Sequence, residues 1–375
     1  MKKIGIMTFH AAHNYGSVLQ AYATQTVFDR LGLDNEIINY RLKNQKDFYN
    51  NLYSPHFGKK DFLNRILKIG EHKMRKIRSE KFEDFINHRL RLTEKEYNTL
   101  GELQAESFDY STLVSGSDQV WNKNCTAEFR NEPEESILGY FLDFGGDSVK
   151  RVSYSSSFAG RDWDYISRYK RYLDRYSSIS VRESSSAKML SENLDREVVN
   201  TLDPTLVLSG REWLLDGTYD INEKYVFVYT LSKYHAANEL IEAAKCFADK
   251  NGMKVICVAP FSRIKIKGVQ SAQDCGPLDF LSYIKSAQVV VTNSFHGTAF
   301  SINFNTPFYT VQSKNEKRRT VLLRKLGLES RIIEKAAELN NIEDYKCDYA
   351  HTNAVLAEER AKTVEYIKTA LCEDK

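Results

Sequence analysis

Ala287-Gln288-Val289-Val290-Val291-Thr292-Asn293-Ser294-Phe295-His296-Gly297-Thr298-Ala299-Phe300 is the stretch on which the fold turns. A β-branched apolar run stops at small polar residues, and helical spacing (Ala299, Phe300, Ile302, Phe304) starts at once. That pattern predicts a buried strand feeding directly into a helix. Ser294 is a natural N-cap, and Gly297 would let a ligand approach the backbone of the first turn. The unpaired amides there, with the positive end of the helix dipole, suit an anion. His296 stands where it could bind that anion or pass a proton to it. The alternative, a capping histidine without chemistry, is weakened because Ser294 already provides the cap.

Working outward, short strand patterns alternate with helix patterns, the signature of mostly parallel sheets covered by helices. In the first half, strands are expected at Ile4 to Thr8, Asn35 to Asn39, Thr112 to Ser115, Arg151 to Ser155, Ser178 to Val181 and Val198 to Leu202. In the second half they are expected at Tyr225 to Thr230, Lys254 to Val258, Val289 to Thr292 and Pro307 to Thr310. Helices are expected at Gln20 to Leu31, Ala236 to Lys250, Pro277 to Ser286, Arg318 to Leu326 and Asn353 to Leu371. At 375 residues the chain fits two α/β domains. The polar, Gly-containing run from Ser209 to Asn222 places the boundary, giving an N-terminal domain over 1–208 and a C-terminal domain over 209–375. The last helix is long enough to cross back onto the first domain.

Bulk properties exclude several function classes. A formal charge of +3 is too small and too dispersed for nucleic-acid binding as the main activity. The 6 cysteines show no CxxC and no zinc-type spacing, which suits free thiols in a reducing compartment. Met1-Lys2-Lys3-Ile4-Gly5-Ile6-Met7 superficially mimics a signal peptide, but its apolar run is too short, so it reads as the first strand. No stretch reaches the length of a membrane span, and a cytoplasmic chain is expected. Residues 41–110 break the alternation as a polar, helical insertion rich in Lys and Arg, with Phe62, Leu63, Ile66 and Leu67 on one face. The sharper reading is peripheral contact with the inner face of a membrane. The blander one is a solvated insertion packed on the first domain, favoured because Glu71, Glu80, Glu83 and Asp84 dilute the basic face.

Ligands of open parallel sheets bind beyond the carboxyl ends of the strands, and the polar clusters gather at those ends. Tyr15-Gly16-Ser17 follows the first strand, and Gly116-Ser117-Asp118-Gln119-Val120-Trp121-Asn122 follows Leu113-Val114. Ser155-Ser156-Ser157 and Arg182-Glu183 follow two others; Thr230, Ser232, Pro260 and Ser262 occupy the equivalent places in the second half. Polar edges on two facing sheets imply a cleft between domains. Arg182 is either an ion-pair partner of a carboxylate or the anchor of a substrate anion. Asp118 closes an Asx turn or acts as a base, and Trp121 is a packing residue or a surface for a sugar. His10 and His13 lie in the first strand-to-helix loop. No GxSxG elbow, dinucleotide fingerprint or Walker loop is present.

The chain resembles the polysaccharide pyruvyl transferase family. The resemblance is carried by Thr8-Phe9-His10 through Tyr15-Gly16-Ser17-Val18-Leu19-Gln20-Ala21-Tyr22, and by Val114-Ser115-Gly116-Ser117-Asp118-Gln119-Val120-Trp121-Asn122. Ser180-Val181-Arg182-Glu183, Leu202-Asp203-Pro204-Thr205-Leu206 and Thr292-Asn293-Ser294-Phe295-His296-Gly297 complete it. The resemblance implies two Rossmann-like domains facing across a cleft in a GT-B-like architecture. It also implies transfer of a pyruvyl group from phosphoenolpyruvate to two hydroxyls of a sugar, forming a ketal on a capsule, exopolysaccharide or lipid-linked precursor. By the motif match, His296 and Arg182 would handle the donor.

That chemistry assigns roles. His296 becomes the general acid, and Arg182, Ser294 and Gly297 the donor site. Asp118 becomes the base for the acceptor hydroxyl, with Tyr15, Gln119 and Trp121 beside it. Neither a metal nor a cofactor is required, phosphoenolpyruvate being a substrate. Many family members place an arginine shortly before the histidine, where this chain has Ser294 and Phe295; Lys317, Arg318 or Arg319 would then reach in. The alternatives are a GT-B-type glycosyltransferase using a nucleotide sugar, which would need a base-stacking pocket, and a non-catalytic subunit of a glycan-assembly complex.

Overall fold

The computed structural model describes residues 2–45, 69–125, 132–312 and 318–372. Strands β1 to β12 are Ile4–Met7, Asn35–Ile37, Thr112–Ser115, Lys150–Ser153, Ile179–Val181, Val198–Asn200, Tyr225–Tyr229, Lys254–Val258, Val269–Ser271, Val289–Thr292, Phe308–Val311 and Ile332–Ile333. The longer helices, α1 to α8, are Tyr15–Arg30, Ile69–Arg89, Ser184–Leu194, Tyr234–Lys250, Pro277–Ser286, Phe295–Asn303, Arg318–Lys325 and Ala350–Cys372.

Two compact units result. One comprises Met1–Pro55, Glu83–Val207 and Glu358–Lys375, the other His56–Phe82 and Leu208–Ala357. The end of α8 therefore groups with the first unit, in contrast to the single domain expected over 209–375. Apolar burial explains this: Ile367 and Ala370 are in the core, and Thr363 Oγ1 accepts from the Leu202 amide at 3.0 Å. The start of α2 groups instead with the second unit, where Lys81 Nζ donates to Asp279 Oδ2 at 2.7 Å. The apolar face expected at Phe62, Leu63, Ile66 and Leu67 lies outside the described residues.

In the first unit β1 to β4 form a parallel sheet in the order β2-β1-β3-β4. The parallel pair β5-β6 continues it through bridges joining Val152 to Ser178 and Ser156 to Val181. The order reverses between β1 and β3, which makes their carboxyl ends the switch point of this unit. In the second unit the parallel order is β12-β11-β10-β7-β8-β9, and its reversal falls between β7 and β10. Tyr225–Tyr229 and Val289–Thr292 are buried along their whole length, as central strands covered on both faces require.

Helix α1 starts five residues ahead of the Gln20 expected. Asn14 is its N-cap, its side chain accepting from the Gly16 amide at 2.9 Å, so Gly16 belongs to the helix. The short edge strands β9 and β12 and helix α3 were not foreseen.

Candidate functional site

At the switch point of the first unit, polar side chains interlock. The side-chain amide of Gln20 donates to Thr8 Oγ1, Phe9 O and Ser17 O at 2.8, 3.1 and 2.9 Å. Thr8 Oγ1 in turn donates to Ser117 O at 3.0 Å, which fastens the β1 loop to the β3 loop. Ser17 Oγ donates to Asp118 Oδ2 at 2.6 Å. Asp118 has a φ of 74°, a left-handed backbone that Asp tolerates better than most residues and that a local hydrogen bond, here Gln119 N to Oδ1 at 2.8 Å, accompanies.

Arg182 is the hub of this cluster. Its side chain is 3% exposed and meets Asp203 Oδ2 at 2.9 Å, Glu183 Oε1 at 3.3 Å and Asp118 Oδ1 at 3.6 Å. Burial alone would lower its pKa, but Glu183, Asp203 and Asp118 together hold it above the ordinary value. Of the two readings open in the sequence, the ion pair is the one observed. A guanidinium already facing three carboxyl groups offers an incoming anion a poor electrostatic welcome, so its evident work is to fix those carboxyls. Asp203 is further held by Thr205, through its amide at 3.0 Å and its hydroxyl at 2.7 Å, and by Ser117 Oγ at 3.1 Å. Ser157 Oγ donates to Glu183 Oε1 at 2.5 Å. The buried Oε2 of Glu183 and hydroxyl of Ser155 have no protein hydrogen-bond partner.

The remaining acceptor candidates separate. Gln119 is half-buried and its Oε1 accepts from Asn122 Nδ2 at 3.0 Å. Tyr15 is buried at the first position of α1. Trp121 is wholly buried, stacked on Phe141 with centroids 5.4 Å apart, and its Nε1 donates to Tyr140 O at 3.1 Å. This corrects its place among the acceptor residues: an indole with both faces and its N–H occupied by the core cannot present itself to a sugar.

Two histidines of the first loop are buried for different ends. His10 bonds to Thr8 O at 3.2 Å and Asn39 Oδ1 at 3.0 Å; burial and then the charge of Arg41 lower its pKa to about 4. In the neutral form that this pKa favours at pH 7 only one ring nitrogen carries a proton, so His10 donates to one of these two oxygens. His13 Nε2 meets Glu83 Oε1 at 2.8 Å, and Arg41 Nη1 meets Glu83 Oε2 at 3.0 Å. Burial would raise the Glu83 pKa, but His13 and Arg41 bring it down to about 2.

At the switch point of the second unit, α6 begins as its sequence predicts. Ser294 is the N-cap and its Oγ accepts from Gly297 N at 3.4 Å. Thr292 Oγ1 accepts from Ser294 N at 3.0 Å and donates to Tyr229 O at 2.7 Å, locking the turn to β7. His296, on the first turn, is buried, with its ring edge-on to Phe295 at 5.1 Å. Gly297 serves packing: a Cβ there would come within 2.5 Å of Thr292 Oγ1 and 3.1 Å of Tyr229 Cδ1. The glycine thus lets α6 press onto β7 and β10.

Arg319 is also buried, with Nη1 donating to Thr310 Oγ1 at 2.6 Å and Nη2 to Val311 O at 3.0 Å. Those bonds hold α7 to the end of β11. The side chains of Lys317 and Arg318 fall outside the described residues. Among the described residues no group of three or more His, Cys, Asp or Glu side chains converges as a cation site would need. No helix among them is long and apolar enough to cross a membrane.

Comparison with known proteins completes the description. The S. aureus MnaA–UDP co-structure is 11% identical, covering 100% of this chain and 99% of that chain at a TM-score of 0.53. The glycotransferase of kitacinnamycin is 10% identical, covering 98% of this chain and 97% of that chain at a TM-score of 0.50. At such identities the likeness concerns the fold alone: α/β, with two Rossmann-like units of parallel strands, GT-B-like. No curated protein matches the chain significantly by sequence. The family model described as polysaccharide pyruvyl transferase matches residues 14–315. With most of the chain matched, and with Arg182, Asp118 and His296 all inside that span, the chain belongs to the polysaccharide pyruvyl transferase family and is a transferase.

Proposed function

We propose that the enzyme moves a pyruvyl group from phosphoenolpyruvate to two hydroxyls of a sugar in a cell-surface polysaccharide or its lipid-linked precursor. The observation that carries this reading is the Ser294-capped start of α6, with His296 on its first turn, inside a family match over residues 14–315. A helix N-terminus suits the phosphate and carboxylate of such a donor, and an imidazole beside it suits proton delivery.

In the proposed sequence His296 protonates the methylene carbon of phosphoenolpyruvate, leaving an oxocarbenium-like centre at the carbon that bears the phosphate. One sugar hydroxyl adds there and loses its proton to Asp118. The carbon–oxygen bond to phosphate breaks, phosphate departs, and the second hydroxyl adds to the same carbon and gives up its proton. A cyclic ketal and inorganic phosphate result. Arg182 acts by orienting Asp118, and Ser17 by donating to its other oxygen.

The test is to incubate the purified protein with phosphoenolpyruvate and a panel of free, nucleotide-linked and lipid-linked sugars, following phosphate release. Acceptor-dependent release that collapses in His296→Ala supports the proposal. Consumption of a nucleotide sugar would instead identify a glycosyltransferase, and inertness to every donor a non-catalytic subunit.

A further inference from the structure

Most large apolar side chains of the described residues are buried, but Tyr234 and Phe261 are 79% and 42% exposed. Both stand at the carboxyl ends of adjacent strands of the second unit, Tyr234 after β7 and Phe261 after β8. The Ser262 hydroxyl accepts from Tyr234 N at 2.9 Å and donates to Ser232 O at 3.1 Å, which makes the two loops neighbours. Asn293 ties this pair to the switch point: its Nδ2 donates to Ser232 Oγ at 2.6 Å and its Oδ1 accepts from Leu231 N at 2.9 Å. Asn293 immediately precedes the cap Ser294, three residues before His296. A set of hydrogen bonds therefore links the residue before the α6 cap to the Tyr234 amide and to Ser262, the neighbour of Phe261.

The backbone beneath both residues is held in place. Gln273 Nε2 donates to Ala259 O at 2.7 Å and Ser262 O at 2.8 Å, clamping both ends of the short turn that carries Phe261. Tyr234 holds a φ of 48°, a left-handed backbone unusual for a bulky residue, and it does so with its side chain in solvent. Each ring has a lysine close by in the chain. Lys233 adjoins Tyr234 and Lys265 lies four residues after Phe261, both exposed, while the nearest acidic residues along these segments are Glu239 and Asp274.

We propose that Tyr234 and Phe261 are the acceptor platform of the enzyme, on which a phosphate-linked sugar stacks its ring while Lys233 and Lys265 meet its phosphates. Aromatic faces favour the C–H face of a pyranose, aromatic side chains have few rotatable bonds to order on binding, and lysine is a phosphate binder as a point charge. The proposal rests on the pyruvyl-transfer reading and adds to it the chemistry of the acceptor and the residues that select it.

The experiment measures phosphate release from phosphoenolpyruvate against concentration of one acceptor sugar supplied free, as its nucleotide diphosphate and as its farnesyl diphosphate. Tyr234→Ala and Phe261→Ala should each raise the half-saturating acceptor concentration about tenfold while that of phosphoenolpyruvate stays within about twofold. Tyr234→Phe should resemble the wild type. The Lys233→Ala, Lys265→Ala double variant should weaken the diphosphate-linked acceptors and leave the free sugar unaffected; which diphosphate form saturates at the lower concentration identifies the source. Unchanged acceptor saturation in both alanine variants overturns the proposal, as does competition by free nucleotide monophosphate as strong as by the sugar-linked form. Saturation-transfer NMR of the same sugars without phosphoenolpyruvate separates the two claims. If no acceptor releases phosphate, the pyruvyl-transfer reading fails; ring-dependent transfer to the sugar protons would still sustain the platform.

Discussion

Ser17 donates its hydroxyl proton to Asp118 at 2.6 Å, joining the first turn of α1 to the loop after β3 across the switch point of the first unit. The bond leaves Asp118 aimed by three groups at once: the Ser17 hydroxyl, the Gln119 amide and, at 3.6 Å, the Arg182 guanidinium. A carboxylate held so firmly is preorganised for proton transfer.

Asp118→Asn should therefore lower kcat for phosphate release about 10²–10⁴-fold, the range over which a positioned general base contributes. Ser17→Ala, which removes one orienting bond and keeps the base, should cost about tenfold or less. Steady-state kinetics on both variants, with circular dichroism to confirm folding, decide the point. An Asp118→Asn enzyme with near-normal turnover would remove this residue from the chemistry.

Replacing Arg182 should act first on stability. Arg182→Leu leaves three carboxyl groups facing one another in the interior and is expected to cost about 3–5 kcal/mol, the range for breaking a buried ion pair by removing one partner. Arg182→Lys should recover only part of this, because an ammonium cannot reach all three partners as a planar fork does. Urea denaturation measures the loss. Unchanged stability with a raised KM for phosphoenolpyruvate would return the guanidinium to direct donor binding.

Acidification should destabilise the fold in two windows. His10 has a folded pKa of about 4 against 6.5 ordinarily, so between these values the unfolded chain binds the proton first. Stability is thus full above pH 6.5 and falls by about 3 kcal/mol as the pH drops to 4, taking 1.36 kcal/mol per unit. Glu83, lowered from 4.5 to about 2, adds a further loss between those values. Thermal unfolding from pH 7 to 3 traces both, and His10→Asn should flatten the upper window alone.

Gly297→Ala should destabilise by about 1–3 kcal/mol, the cost of overpacking, because the new methyl meets Thr292 Oγ1 at 2.5 Å. Thr292→Ser keeps the offending oxygen and should give no relief. Thr292→Ala removes it and should recover part of the loss in the double variant, less the bonds that Thr292 makes to Tyr229 and Ser294. Additive losses in a double-mutant cycle would show that the two positions do not collide.

What the sequence made legible was local. Thr112–Ser115, Lys254–Val258 and Val289–Thr292 form as expected because β-branched runs leave little choice but a central strand. The start of α6 was legible for the same reason, since Ser294 is a cap by residue type. Val269–Ser271 escaped notice because an edge strand needs no apolar face, and Ile332–Ile333 because two residues carry no period. Helix α3 was hidden by its opening serines, which favour caps and turns over helix interiors. Asn14 does not stand out as a cap because the glycine two residues on suggests a loop. Nothing local could show that Arg182 would face Asp118, Glu183 and Asp203 together. Only the adjacency of β3, β4 and β5 gathers residues so far apart in the chain. Tyr234 and Phe261 carried no signal at all, since exposure belongs to the fold and not to the residue.

The clamp that Gln273 places on Ala259 and Ser262 has an evolutionary consequence. A turn held at both ends by one amide, outside the strands that form the core, can exchange its tip without repacking the sheet beneath. On the platform proposed above, homologues keeping that amide but differing at Phe261 would share one scaffold and select different acceptors, so specificity could change by swapping a single short turn.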